Sequence, residues 1–73
     1  MDRPEYQDGD KLIWRTDDDC FIIAEGGWMP GVYADLETAK LAFSIDEEIL
    51  SALQKSVNPG GTITMKMLLK ETL

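Results

Sequence analysis

Short runs of apolar residues interrupted by polar ones mark the first half of the chain. Residues 11–16 and 20–25 are rich in β-branched and aromatic side chains, and Asp17–Asp19 separates them. Two such runs around a short polar connection predict a β-hairpin, here with three aspartates at its tip. By the two-residue period of a strand, Leu12 and Trp14 share one face, and we expect Trp14 in the core.

The second strand of this hairpin has no clean alternation of apolar and polar positions. That pattern predicts a strand covered on both faces or nearly so, and a Cys20 that is a small buried residue. The apolar side chains divide between the two faces, with Phe21 and Ile23 on one and Cys20, Ile22 and Ala24 on the other.

Loop-forming residues surround the hairpin. Residues 1–10 are polar and predict a flexible lead-in. Residues 26–31 predict a loop, in which Pro30 presets φ for a type II turn and Gly31 accepts the positive φ that follows. Residues 32–34 are long enough for a third short strand.

Helical patterns begin at Asp35, which is a favourable N-cap residue. Ser44 and Glu47 match a capping box, so a second helix is predicted to begin at Ser44 and to end at the turn of residues 58–61. Residues 62–73 fit either a last helix or a short strand, and the pattern leaves both open.

The whole pattern predicts a small α+β domain. A two- or three-stranded antiparallel sheet forms the first half, and two or three helices pack on one of its faces. We expect residues 1–10 as the lead-in and residues 11–73 as a single folded unit with a modest core. No apolar run approaches the roughly 20 residues that span a bilayer, and no signal-peptide core is found, so we expect a cytoplasmic protein.

Acidic residues are distributed unevenly. Residues 1–48 hold thirteen of the fourteen Asp and Glu and four of the seven Lys and Arg, a balance of −9, and residues 49–73 carry +2. The net charge of −7 repels nucleic acid and anionic membranes, so we expect neither as a direct partner. It favours a monomer, because like-charged copies repel, and a partner with a basic surface.

Residue types that carry catalysis are scarce. The chain has no histidine and one cysteine, Cys20, which excludes Ser-His-Asp and Cys-His arrangements, zinc sites of His and Cys, and an intrachain disulfide. Asp17–Asp19 lacks the alternating spacing of a calcium loop. We therefore predict a non-enzymatic protein without cofactor or metal. A small carboxylate- or metal-dependent enzyme is the second alternative.

Charged or aromatic residues with expected exposure are the candidates for partner binding. Asp17–Asp19 is either a solvated tip or a contact with a basic partner. Glu47 and Glu48 complement the positive end of a helix dipole, and Glu48 should also point outward. Trp28 either covers one end of the core or serves as an interface aromatic. The predicted set is Asp17, Asp18, Asp19, Glu25, Trp28, Glu37, Glu47 and Glu48.

Four short segments resemble small uncharacterised proteins of bacteriophages and prophages: Gly27–Asp35, Thr38-Ala39, Ala42-Phe43 and Ile63-Thr64. Compact acidic phage proteins include inhibitors of host defence, such as anti-CRISPR proteins, and several of these mimic DNA. The resemblance implies an inhibitor that enters a basic, nucleic-acid-binding groove, as in a CRISPR effector complex. The first alternative is an accessory or regulatory phage protein that binds another protein through the loop of Trp28.

Overall fold

Three strands are followed by three helices in the computed structural model, which describes residues 3–72. The strands are β1 (Tyr6–Asp8), β2 (Lys11–Arg15) and β3 (Phe21–Ala24). The helices are α1 (Leu36–Ala42), α2 (Glu47–Val57) and α3 (Met65–Thr72). The prediction of a small α+β domain with an antiparallel sheet in its first half is confirmed.

The sheet has the order β1-β2-β3, with both neighbouring pairs antiparallel. The predicted hairpin is present, with Arg15 paired to Phe21 around the tip. The prediction of a flexible lead-in is wrong for residues 6–8, because Tyr6 pairs with Ile13 and these residues form the edge strand β1. The Tyr6 ring also lies 6.0 Å from the Phe43 ring, which anchors this strand to the end of α1.

Residues 32–34 do not form the predicted third strand. Tyr33 alone makes bridges, one antiparallel to Phe21 and one parallel to Ile63. Tyr33 N donates to Phe21 O at 2.7 Å, and Phe21 N donates to Tyr33 O at 2.9 Å. The segment pairs through one residue on each side, so it joins the sheet to the chain before α3 without extending the ladder.

The start of α1 follows the sequence prediction, and the start of α2 does not. Asp35 caps α1, as Thr38 N donates to its Oδ1 at 2.8 Å. The prediction that Ser44 caps the second helix is wrong. Ser44 Oγ donates to Leu41 O at 2.9 Å and so closes α1. Asp46 caps α2 instead. Residues 65–72 are helical, which decides the alternative left open for this segment.

The core lies between the helices and one face of the sheet. Its buried members are Ile13, Phe21, Ile23, Tyr33, Ala39, Ala42, Leu50, Ile63 and Leu68. On the opposite face, Leu12, Trp14, Ile22 and Ala24 are only partly buried and do not belong to this cluster. The predictions of a core Trp14 and of a strand covered on both faces are therefore wrong, because the helices pack on one face.

Gln54 connects α2 to two loops. Its Oε1 accepts from Val32 N at 2.8 Å, and its Nε2 donates to Asn58 Oδ1 at 3.0 Å and to Gly61 O at 3.1 Å. One side chain thus satisfies backbone groups of the segment before α1 and of the turn before α3. None of the described helices has the length and apolar character required to cross a membrane.

Candidate functional site

The Asp17–Asp19 tip is a tight turn that displays three exposed carboxylates. Asp19 N donates to Thr16 O at 3.1 Å, and Thr16 N donates to Cys20 O at 2.8 Å. Asp19 completes the turn with φ of 62°, in the left-handed region where glycine is usual. The backbone therefore holds the three carboxylates on a defined hairpin end.

The start of α1 is brought to the same end of the sheet. The Phe21–Tyr33 bridge is antiparallel, so Asp19 and Asp35 lie two residues away from it in the same direction. Glu37 follows in the first turn of α1 and is exposed. We call this group the tip end, and its members are Asp17, Asp18, Asp19, Asp35 and Glu37.

A second acidic group lies at the other end of the strands. Asp8 and Asp10 flank the turn between β1 and β2, and both are exposed. Glu25 directly follows Ala24, which pairs with Leu12, so Glu25 emerges beside this turn. We call this group the turn end, and its members are Asp8, Asp10 and Glu25.

Glu47 and Glu48 lie in the first turn of α2 and are exposed. Lys11 Nζ donates to Phe43 O at 3.1 Å, which holds the end of α1 near the turn end. α2 begins four residues after Phe43. The predicted acids of the sheet and of α1 thus lie at opposite ends, with Asp17–Asp19 and Glu37 at the tip end and Glu25 at the turn end.

Few cations neutralise these carboxylates. In the part of the chain that the structure describes, Arg15 pairs with Glu5 at 3.1 Å and with Asp19 at 3.6 Å, and Lys40 pairs with Glu37 at 3.4 Å. Such exposed pairs contribute roughly 0–1 kcal/mol each. Among residues 3–72 the remaining predicted carboxylates form no ion pair, namely Asp17, Asp18, Glu25, Glu47 and Glu48.

Asp35, at the tip end, accepts two hydrogen bonds that affect its ionisation. Thr38 Oγ1 donates to Asp35 Oδ1 at 2.6 Å, and Thr38 N donates to the same oxygen at 2.8 Å. These hydrogen bonds, the side-chain one first, lower the pKa of Asp35 because they favour the ionised carboxylate. Its negative charge at the start of α1 is therefore maintained at neutral pH.

Trp28 is 69% exposed, so it does not cover the core. Its loop is nevertheless well anchored: Met29 N donates to Ile23 O at 2.9 Å, and Tyr33 Oη donates to Pro30 O at 2.7 Å. Gly31 has the predicted positive φ, at 109°, and a Cβ there would lie 2.5 Å from Tyr33 Oη. The loop presents a large aromatic side chain to solvent from a fixed position.

A half-open cleft of about 320 Å³ adjoins the hairpin tip. Asp18 is the charged residue among its described lining, and Cys20 and Gln54 also border it. Cys20 is partly buried rather than buried, and its Sγ lies 3.7 Å from Asp18 O. The cleft adds shape to the tip end, with Asp18 and Cys20 on its wall.

Sequence reasoning missed the apolar face of the sheet that turns away from the helices. Leu12 and Trp14 were placed on one strand face, but their pairing with Ala24 and Ile22 was not foreseen. The two-residue period together with the hairpin prediction contained this information. The sequence pattern did not indicate on which side of the sheet the helices pack.

Residues 3–72 contain no cluster of three or more His, Cys, Asp or Glu side chains arranged to hold a metal ion. Comparison with known proteins found no matching family model, no matching curated protein and no matching solved structure.

Proposed function

We propose that this chain is a non-enzymatic inhibitor that binds a basic, nucleic-acid-binding surface of a host complex, in the manner of an anti-CRISPR protein. The observation that carries this proposal is the exposure of all seven predicted carboxylates, five of them outside any described ion pair. A surface of unpaired carboxylates attracts Lys- and Arg-lined grooves and repels nucleic acid. The site of action would be the bacterial cytosol, where such complexes operate.

Charge density limits how far DNA mimicry can extend. The described chain measures 35 × 25 × 19 Å, and its long axis is close to one turn of duplex DNA, about 34 Å. Residues 3–72 carry 13 acids and 7 bases, so their six net charges over 35 Å amount to roughly one per 6 Å, against one per ~1.7 Å in the duplex. By charge alone, the carboxylates of the tip end or the turn end would therefore compete with DNA over only part of a groove.

The proposed mechanism is competition without chemistry. Opposite fields would accelerate encounter between the acidic ends and a basic groove, and the gain would fall as salt screens the charges. The same charge would keep copies of the chain apart, which supports action as a monomer. The rigid turn around Asp19 would present the tip carboxylates with little loss of entropy on binding.

The direct test measures displacement of labelled duplex DNA from purified CRISPR effector complexes. We expect the chain to release DNA, and a rise from about 0.1 to 0.5 M salt to weaken its binding at least tenfold. Asp18→Lys should weaken binding about tenfold. Glu71→Lys makes the same change of charge on an exposed part of α3 and should weaken it less than threefold. No displacement from any such complex would refute the proposed function.

The exposure of Trp28 favours a second candidate, an accessory or regulatory protein that binds another protein through its aromatic loop. Exposed aromatic residues are enriched at the energetic centres of interfaces. This candidate predicts that Trp28→Ala abolishes binding to the partner while salt has little effect. The inhibitor proposal predicts a strong salt effect in the same assay.

A further inference from the structure

The sheet face opposite the helices, here called the outer face, carries five apolar side chains: Leu12, Trp14, Ile22, Ala24 and Trp28. Leu12 pairs with Ala24, and Trp14 pairs with Ile22, so these side chains project to one side of the sheet. Ala24 also bridges to Trp28, which extends the same side by one further residue. Both tryptophans of the chain therefore belong to one face.

The helices lie on the other side of this sheet. Lys11 and Ile13 alternate with Leu12, and Lys11 contacts Phe43 at the end of α1 while Ile13 is fully buried. The outer-face residues of β2 and β3 are not in the core cluster or in the group packed against it. Among residues 3–72, no helix covers this face. Its four strand residues are partly buried and Trp28 is 69% exposed, so a monomer leaves part of this apolar surface uncovered.

The charges around the outer face indicate what would cover it. The tip end lies beyond one end of β2 and the turn end beyond the other, and the five residues of β2 separate them by about 17 Å. The outward positions of β2 and β3 carry no Lys or Arg, because Lys11 and Arg15 fall on the core side. The same alternation places Asp8, opposite Lys11, and Glu25, next to Ala24, on the core side, while Asp35 and Glu37 belong to α1. The acids that flank the apolar centre are therefore the turn residues, Asp17–Asp19 at one end and Asp10 at the other.

We propose that the outer face docks a partner protein whose surface has an apolar centre flanked by Lys and Arg on two sides, about 17–20 Å apart. A second copy of this chain would place acids against acids, and phosphates would meet the same repulsion. This inference rests on the proposed function and says which surface makes the contact. The apolar centre supplies the binding affinity that a density of one charge per ~6 Å does not. Aromatic burial in the centre with ionic contacts at the rim is the usual anatomy of such an interface.

The test uses three synthetic peptides and the emission of Trp14 and Trp28. The first has two arginines at each end and a centre of alternating leucine and threonine, whose five residues extend over about 17 Å. The second has serine in place of leucine at the same charge, and the third has glutamate in place of arginine. We expect the first peptide to shift the emission to the blue and to bind at least tenfold more tightly than the second, and the third not to bind.

Two matched variants locate the contact. Trp28 and Leu69 are the large apolar side chains with the greatest exposure, at 69% and 46%, and Leu69 lies on α3, on the helical side. Trp28→Ala should lower the affinity for the first peptide at least fivefold, with Trp14 as the remaining reporter. Leu69→Ala should leave it within twofold. Melting curves check that both variants fold.

Equal binding of the leucine and serine peptides, no binding of either, or equal losses in the two variants would overturn the docking surface. Binding of the glutamate peptide would overturn the charge complementarity. The peptides do not depend on any CRISPR complex. If the three peptides bind with the expected differences in affinity while DNA displacement fails, the docking surface is supported and the inhibitor function is refuted. If displacement succeeds with no effect of Trp28→Ala, the inhibitor function stands and the outer face falls.

Discussion

Replacing Asp19 with glycine should stabilise this protein while it removes one of the carboxylates proposed to bind the partner. Asp19 holds φ of 62°, a conformation that costs a residue with a Cβ about 1 kcal/mol or more relative to glycine. The substitution also relieves repulsion from two adjacent carboxylates. It loses the pair with Arg15 at 3.6 Å, which at this exposure is worth under about 0.5 kcal/mol.

The net gain expected for Asp19→Gly is about 1 kcal/mol. For a domain of this size it corresponds to a rise in Tm of roughly 4–8 °C. Asp18→Gly is the matched control, because it removes the same charge next door and Asp18 does not have a positive φ. There glycine relieves no strain and adds freedom to the unfolded chain, so Tm should stay the same or fall by a few degrees.

Thermal melts followed by circular dichroism, at low salt and at about 0.5 M salt, separate the backbone effect from the charge effect. The difference between the two variants should persist at high salt, because it is steric, whereas the repulsion that both relieve is screened. A Tm for Asp19→Gly at or below that of Asp18→Gly would refute the reasoning. A residue that costs stability at an exposed turn is consistent with selection for binding, so Asp19→Gly should also weaken the proposed partner interaction.

Three further predictions concern the supports of the fold. Gln54→Ala removes the acceptor of Val32 N and the donor to Gly61 O, and should lower the unfolding free energy by about 1–3 kcal/mol in a urea titration, whereas Gln54→Glu, which keeps the acceptor, should lose less. Burial raises the pKa of Tyr33 above the ordinary value of about 10, so the unfolded chain releases this proton first. Stability should therefore fall as pH rises above about 10, and Tyr33→Phe should flatten that fall, which melts from pH 8 to 11 would show. Asp35→Ala should cost about 1 kcal/mol at pH 7, since it removes the cap of α1. The pKa of Asp35 is lowered by folding, so its contribution to stability is present above about pH 4 and is lost as pH falls through the pKa of the folded state. The stabilities of the wild type and the variant should therefore converge in acid. A stability difference that stays constant with pH would contradict this.

Local interactions account for the features that the sequence predicted correctly. The hairpin follows from two β-prone runs around Asp17–Asp19, and the cap of α1 follows from an aspartate three residues before its donor, Thr38. The positive φ of Gly31 follows from the Pro-Gly pair. In each case the interaction that starts the structure joins residues close in sequence, such as Arg15 with Phe21 and Asp35 with Thr38. The exposed acids were equally foreseeable, because charged residues at turns and helix starts rarely find burial.

Errors arose where two local solutions were nearly equal. Ser44 satisfied the capping-box pattern, yet Asp46 two residues later is as good a cap, and the chain still bonds back to α1 at Ser44. Tyr6–Asp8 is polar enough to be taken for a lead-in, and only its pairing with β2 makes it a strand. A difference of one hydrogen bond or one ring contact decides such cases, and those partners are distant in sequence.

The sequence by itself determined the α+β class, the hairpin, the surplus of acids in the first 48 residues and the lack of histidine chemistry. The tertiary structure alone decided which face of the sheet the helices cover, and with it the placement of Trp14 and Trp28 on a shared outer face. It also divided the acids of the sheet and of α1 into two groups at opposite ends. The physical reason is that strand periodicity assigns a residue to one of two faces, whereas only packing between distant segments decides which of those faces is buried.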